Sequence, residues 1–150
     1  MKGAIIIGYP GIGKSTLARD TNGYIDLDSG NFHDKNDTWY LLYCSVAVNL
    51  AYQGYTVMIS SHKCVQDFFR INKYYFPFEV YVCFPCLALE NEWINKLKAR
   101  SEDAAWRRAS TCYSKDILDM MISGFPMITI TSMGYFLKEL IEEKRYFNEL

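Results

Sequence analysis

The chain has 150 residues, half of them apolar, which is enough for one buried core and too few for two ordinary domains. Its 16 basic side chains against 17 acidic ones leave a net charge of -1. No global field therefore gathers nucleic acid or anionic lipid, and any phosphate chemistry must come from a local site. The N-terminus has no secretory leader pattern and no apolar stretch reaches about 18 residues, so the expectation is a soluble, cytoplasmic protein forming one unit over residues 1–150.

The first apolar run, Gly3 to Ile7, ends at Gly8 and reads as a buried strand feeding a loop and then a helix from Lys14 to about Asp20. Tyr24 to Leu27 is a second strand, closed by the turn-forming Asp28-Ser29-Gly30-Asn31. Thr38 to Gln53 carries Trp39, Leu42, Tyr43, Val46 and Leu50 at helical spacing and stops at Gly54. Tyr55 to Ser60 is a third strand, Val65 to Lys73 a helix, and Phe78 to Cys83 a fourth strand. An amphipathic helix spans Leu87 to about Arg100, and Asp103 to Met121 continues in helical pieces. Met127 to Thr131 is the last strand and Tyr135 to Arg145 the last helix. Strands alternating with helices predict an α/β fold with a five-stranded parallel sheet and helices on both faces. In open sheets of this kind ligands bind beyond the carboxyl ends of the strands, where Gly8, Asp28, Ser60 and Thr131 fall.

The cysteines, Cys44, Cys64, Cys83, Cys86 and Cys112, are an odd set without a secretory context, so reduced thiols are expected. Cys83-Phe84-Pro85-Cys86 spells Cys-x-x-Cys, a redox pair or half of a zinc site, but no second ligand pair follows it. Thiols at a strand end are the simpler reading.

Gly8-Tyr9-Pro10-Gly11-Ile12-Gly13-Lys14-Ser15 matches the phosphate-loop pattern G-x-x-x-x-G-K-[ST], in the strand–loop–helix setting that its mechanism needs. Small residues let backbone N–H groups curl round phosphates at the positive end of a helix. Gly8, Gly11, Ile12, Gly13, Lys14, Ser15 and Thr16 are the expected ATP contacts. Lys14 reaches the β- and γ-phosphates, and the Ser15 hydroxyl serves Mg2+. Asp26 and Asp28 stand two apart on one strand and share a face. They suit two tasks, supporting Mg2+ and accepting a hydrogen bond from a substrate hydroxyl; the metal role is assigned to Asp26 and the acceptor role to Asp28. A turn-forming or capping role for either carboxylate is the structural alternative.

The combination GYPGIGKSTLA, YIDLDSGNF and SSHKCVQDFF resembles the small nucleoside and nucleotide kinase group of P-loop proteins, which includes adenylate kinase and shikimate kinase, and is similar to short kinase-like proteins of bacteriophages and prophages. The resemblance implies a three-layer P-loop fold, ATP and Mg2+ as cofactors, and phosphoryl transfer to a small acceptor, a nucleoside monophosphate or deoxynucleotide first. It also implies a substrate-binding helical region at about 29–54 and an arginine-bearing lid at about 96–112. In that lid, Arg100 is the first choice to stabilise charge on the transferred group and Arg107 the second; both sit in a stretch with Lys96, Lys98 and Arg108 that also fits a solvated helix face. Where a Walker B acid would close the third strand, this chain has Ser60-Ser61-His62, which leaves Asp26 or Asp28 to support the metal. His62 suits a substrate contact or a helix cap, and His33 has a weaker claim. Trp39, Tyr40 and Tyr43 are base-stacking surfaces or core. Two other functions fit the same residues: a nucleotide-sensing or interaction module that turns over slowly, and a polynucleotide 5'-hydroxyl kinase. The second needs a basic groove that the net charge does not suggest.

Overall fold

The computed structural model describes residues 3–33, 36–100 and 103–149. Residues 34–35 of the expected acceptor region and 101–102 of the expected lid lie outside them. Five strands, β1 (Ala4–Gly8), β2 (Tyr24–Asp26), β3 (Thr56–Ser60), β4 (Glu79–Pro85) and β5 (Met127–Ile130), form one sheet in the order β2-β3-β1-β4-β5. Every pairing is parallel. Among the described residues there are six helices: α1 (Lys14–Asp20), α2 (Trp39–Tyr52), α3 (Lys63–Asn72), α4 (Glu90–Ala99), α5 (Asp103–Met121) and α6 (Leu137–Glu149). None is long and apolar enough to cross a membrane.

β1 lies at the centre because it can be apolar on both faces. Ala4, Ile5, Ile6 and Ile7 are all fully buried, as is expected of a strand covered by helices on each side. Right-handed crossovers put α1 on one face and the helices that follow β2, β3 and β4 on the other. Helix α6 then crosses the sheet from β5: Tyr24 on β2 donates to Glu142 at 3.4 Å, and Arg145 donates to Thr56 Oγ1 on β3 at 2.9 Å.

Helix α2 packs on β1 and β3 through Tyr43, Cys44, Ala47 and Ala51. The alanines let its backbone come close, and a side chain on Gly3 would run into the Ala51 carbonyl. Leu42, expected on that face, is instead 62% exposed, because the positions four apart from Tyr43 take the sheet-facing stripe. β4 runs two residues beyond the expected Cys83, since Phe84 and Pro85 pair with Thr129 and Ile130. Residues 87–89 make a 3-10 turn before α4, and α5 is one continuous helix rather than pieces. The five cysteines are free thiols. Burial pushes those of Cys44 and Cys83 up to about 12, which leaves them unreactive at neutral pH.

The register brings the chemistry to one edge. Gly8, at the end of β1, is level with Ser60 on one side and Cys83 on the other. Asp26 is level with Met58, two residues short of Ser60, so the chain after β2 arrives beside the loop that follows β1.

Candidate nucleotide site

The loop from Gly8 to Gly13 depends on glycine for shape and for room. Gly11 and Gly13 have φ of 91° and 103°, a region that side chains with a Cβ rarely adopt. At Gly8 a methyl would lie 2.5 Å from Ile12 Cδ1, and at Gly11 it would lie 2.9 Å from Leu97 Cδ2 and 3.6 Å from Arg100 Nη1. Gly13 caps α1, and its carbonyl takes the first helical N–H, from Leu17, at 3.0 Å.

The outer side of the loop is tied to two other parts of the chain. Trp93 Nε1 on α4 donates to the Pro10 carbonyl at 2.8 Å. The Tyr135 hydroxyl, just before α6, donates to the Ile12 carbonyl at 2.8 Å and lies 3.4 Å from the Gly11 carbonyl. In a planar trans peptide the carbonyl of one residue and the N–H of the next point in opposite directions. With the carbonyls of Pro10, Gly11 and Ile12 held outward, the N–H groups of Gly11, Ile12 and Gly13 turn inward. Such a cradle of N–H groups at the start of a helix is the arrangement that suits an anion.

Lys96 completes the tie. Its Nζ donates to the Tyr135 hydroxyl at 3.0 Å and stands 4.4 Å from the centre of the Trp93 ring, with Trp93 and Tyr135 stacked 5.9 Å apart. Burial, and then the neighbouring Arg100, lower the Lys96 pKa, while the two ring faces compensate its charge. Sequence reasoning did not find Trp93, Tyr135 or this use of Lys96.

Lys14 turns back across the cradle, donating to the Gly8 carbonyl at 3.2 Å and the Ile59 carbonyl at 3.5 Å. Ser15 and Thr16 are exposed at the start of α1. The Ser15 hydroxyl donates to Asp26 Oδ2 at 2.6 Å. This contact joins the two residues expected to support a metal. A hydroxyl and a carboxylate on adjacent elements are hard oxygen donors of the kind Mg2+ takes, together with water and phosphate oxygens.

Asp28 is exposed and caps the 3-10 turn at 29–31, accepting from Gly30 N at 2.9 Å. The turn-forming alternative is therefore realised at that oxygen. Tyr43 bridges the ends of β2 and β3: its hydroxyl donates to the Leu27 carbonyl at 2.6 Å and accepts from Ser60 N at 2.9 Å. Burial pushes its pKa up to about 12, so it stays protonated and keeps both bonds. His62 takes Ser60 Oγ at 2.8 Å on Nδ1 and touches His33 and Trp39.

Of the expected lid residues, Arg100 caps the C-terminal end of α4, on the same stripe as Trp93 and Leu97, with its guanidinium over Gly11. Arg107 is exposed on α5, 5.4 Å from the ring centre of Trp106. Arg108 forms a two-pronged bond with Asp116 at 2.8 and 2.9 Å.

No protein-family model matches the chain, and no curated protein matches it. Among solved structures it is similar to the tunicamycin resistance protein of Deinococcus radiodurans. The TM-score is 0.54 at 12% sequence identity, over 100% of this chain and 97% of the other. That likeness concerns the fold. With the all-parallel sheet in the order β2-β3-β1-β4-β5, it makes this a three-layer α/β chain of the P-loop kinase-like fold.

Proposed function

We propose that this chain transfers a phosphoryl group from ATP to a small acceptor with the help of Mg2+. The observation that carries the reading is the contact between Ser15 Oγ and Asp26 Oδ2 at 2.6 Å beside the inward-facing loop. It supplies from β2 the carboxylate that the end of β3 lacks. Gly11, Ile12, Gly13, Lys14, Ser15 and Thr16 would hold the triphosphate, Gly8 giving the loop its room, and Ser15 with Asp26 would hold Mg2+. The metal neutralises phosphate charge when bound.

The protein's own share is orientation and fixed charge. Lys14 trades two carbonyls for phosphate oxygens. Arg100, carried on a helix tied to the loop, faces the charge that develops on the transferred group, with Arg107 as a second cation from α5. Asp28 keeps acceptor capacity beyond its bond to Gly30 and orients the acceptor, which enters from the region at about 29–54. The lid-like stretch at about 96–112 then combines the end of α4 with the start of α5. A nucleotide-type acceptor and a kinship with short phage and prophage kinases rest on the resemblance of the quoted motifs alone.

The test is ADP release from ATP and Mg2+ across nucleosides, nucleoside monophosphates, small hydroxy acids and 5'-hydroxyl oligonucleotides. Acceptor-dependent release is expected. ATP binding that no acceptor converts to ADP release would replace transfer with the sensing module.

A further inference from the structure

Three rings meet where the chain leaves β2 and β3. His33 and Trp39 have centroids 4.1 Å apart, His33 and His62 4.7 Å, and Trp39 and His62 5.2 Å. Trp39 opens α2, His33 belongs to the turn that precedes it, and His62 is the N-cap of α3. Ser60, the last residue of β3, fixes the His62 ring from a second direction through Nδ1 at 2.8 Å. In the tautomer whose Nδ1–H donates to Ser60 Oγ, Nε2 holds the lone pair. Lys14 is the nearest charge from the phosphate loop. Burial, then His33, then Lys14 disfavour a positive charge on His62 and keep it neutral below the ordinary histidine range.

The charge of this side of the cleft limits what it can receive. Of the described residues between Asp26 and Gly54, three are carboxylates, Asp26, Asp28 and Asp37, and none is a cation, while Lys63, next to His62, stands 3.6 Å from Asp67. A phosphate-bearing acceptor brought against a triphosphate needs cations, best the fork of an arginine. Here it would meet carboxylates instead. An uncharged acceptor meets no such repulsion, and its ring finds the faces of Trp39 and His33.

We infer that the acceptor is an uncharged, ring-bearing alcohol, and that His62 takes its hydroxyl proton at Nε2 while Ser60 holds the imidazole through Nδ1. This rests on the transfer reading above. The alcohol oxygen forms a bond to the terminal phosphorus of ATP, the bond from that phosphorus to the bridging oxygen breaks, and its electron pair leaves on ADP. The proton goes to Nε2, and the imidazolium returns it to water across its exposed edge. Asp28 orients the hydroxyl. An imidazole is matched to proton transfer near neutral pH.

The experiment compares nucleosides and cyclic alcohols with their own monophosphates in ATP- and Mg2+-dependent ADP release by the full chain. ATP affinity is followed separately by calorimetry, and the His62 ring by NMR titration. Release with the alcohols and not with the monophosphates is expected. His62→Gln should lower kcat with the alcohol by about 10²–10⁴-fold and leave ATP affinity unchanged. The wild-type kcat should fall as pH drops through the His62 pKa, with a midpoint below about 6.5, and this acid limb should vanish in the variant. If His62→Gln weakens the fold, Ser60→Ala decides instead, lowering kcat and shifting the acid limb at unchanged ATP affinity.

Transfer to monophosphates rather than alcohols would overturn the inference and leave the transfer reading standing. So would full activity and an unaltered acid limb in the folded His62 variant. ATP binding without release from any acceptor would overturn the transfer reading, and this inference with it.

Discussion

Along the loop from Gly8 to Gly13 the backbone itself is held: the carbonyls of Pro10, Gly11 and Ile12 are tied to Trp93 and Tyr135, whose contacts come from α4 and the approach to α6. On the opposite side His33, Trp39 and His62 lean on one another, which buries part of each ring while His33 and His62 keep an exposed edge. The first side fixes N–H directions, which suits a ligand group of constant shape. The second presents side chains, whose rings offer shape and hydrogen-bonding edges rather than fixed N–H directions. Tying the loop on its outer face leaves its inner face free for a ligand, and a tie on the inner face would compete with one.

Changes on the phosphate side should cost most. Lys14→Ala is expected to lower kcat by about 10³-fold, read as ATP turnover, and normal turnover would remove the loop from the mechanism. Arg100→Ala should lower kcat by about 10²-fold and Arg107→Ala by less, because only Arg100 lies over Gly11 in the structure. Equal losses would show that α5 supplies as much as α4. Asp26→Asn should raise the Mg2+ concentration needed for ATP binding by about tenfold to a hundredfold, measured by metal titration, with the acceptor KM little changed. The smallest effect belongs to the tie itself. Trp93→Phe keeps the ring but strands the Pro10 carbonyl, for a loss of about 1 kcal/mol in urea unfolding and a matching, roughly fivefold weakening of ATP. Unchanged affinity at reduced stability would mean that the loop holds its shape without the indole.

Much of this was readable in the sequence because it is local. The spacing from Gly8 to Ser15 needs only consecutive residues. β2 ends at Asp26, so Asp28, expected on the same strand face, instead caps the 3-10 turn that follows. The strand count and parallel pairing follow from apolar runs alternating with helices. The tie was not readable: Trp93 reaches Pro10 and Tyr135 reaches Ile12 across 83 and 123 positions of sequence. In the sequence Trp93 is one more apolar residue on an amphipathic helix. Arg100 was assigned to a lid by resemblance; in the structure it continues the helical stripe of Trp93 and Leu97 and lies beside Gly11. Asp28 shows the limit of strand-face reasoning, because this carboxylate lies past the end of β2 and closes a turn. His62 carried a local signal, a histidine directly after a strand end, but its ring partners come from residues 33 and 39.

The central position of β1 has a consequence for how the protein is made. Ala4 pairs with Thr56 on one side and with Glu79 on the other, so the strand that feeds the phosphate loop leaves the ribosome first among the five and is completed only when β4 has followed it. Until then four consecutive apolar residues have unpaired edges, and the loop has no wall. Pairings of such long sequence separation close slowly. A ligand of this loop would have little to bind during that interval and would stabilise the chain only after closure. Nucleotide added during refolding should therefore slow the unfolding limb and leave the folding limb nearly unchanged.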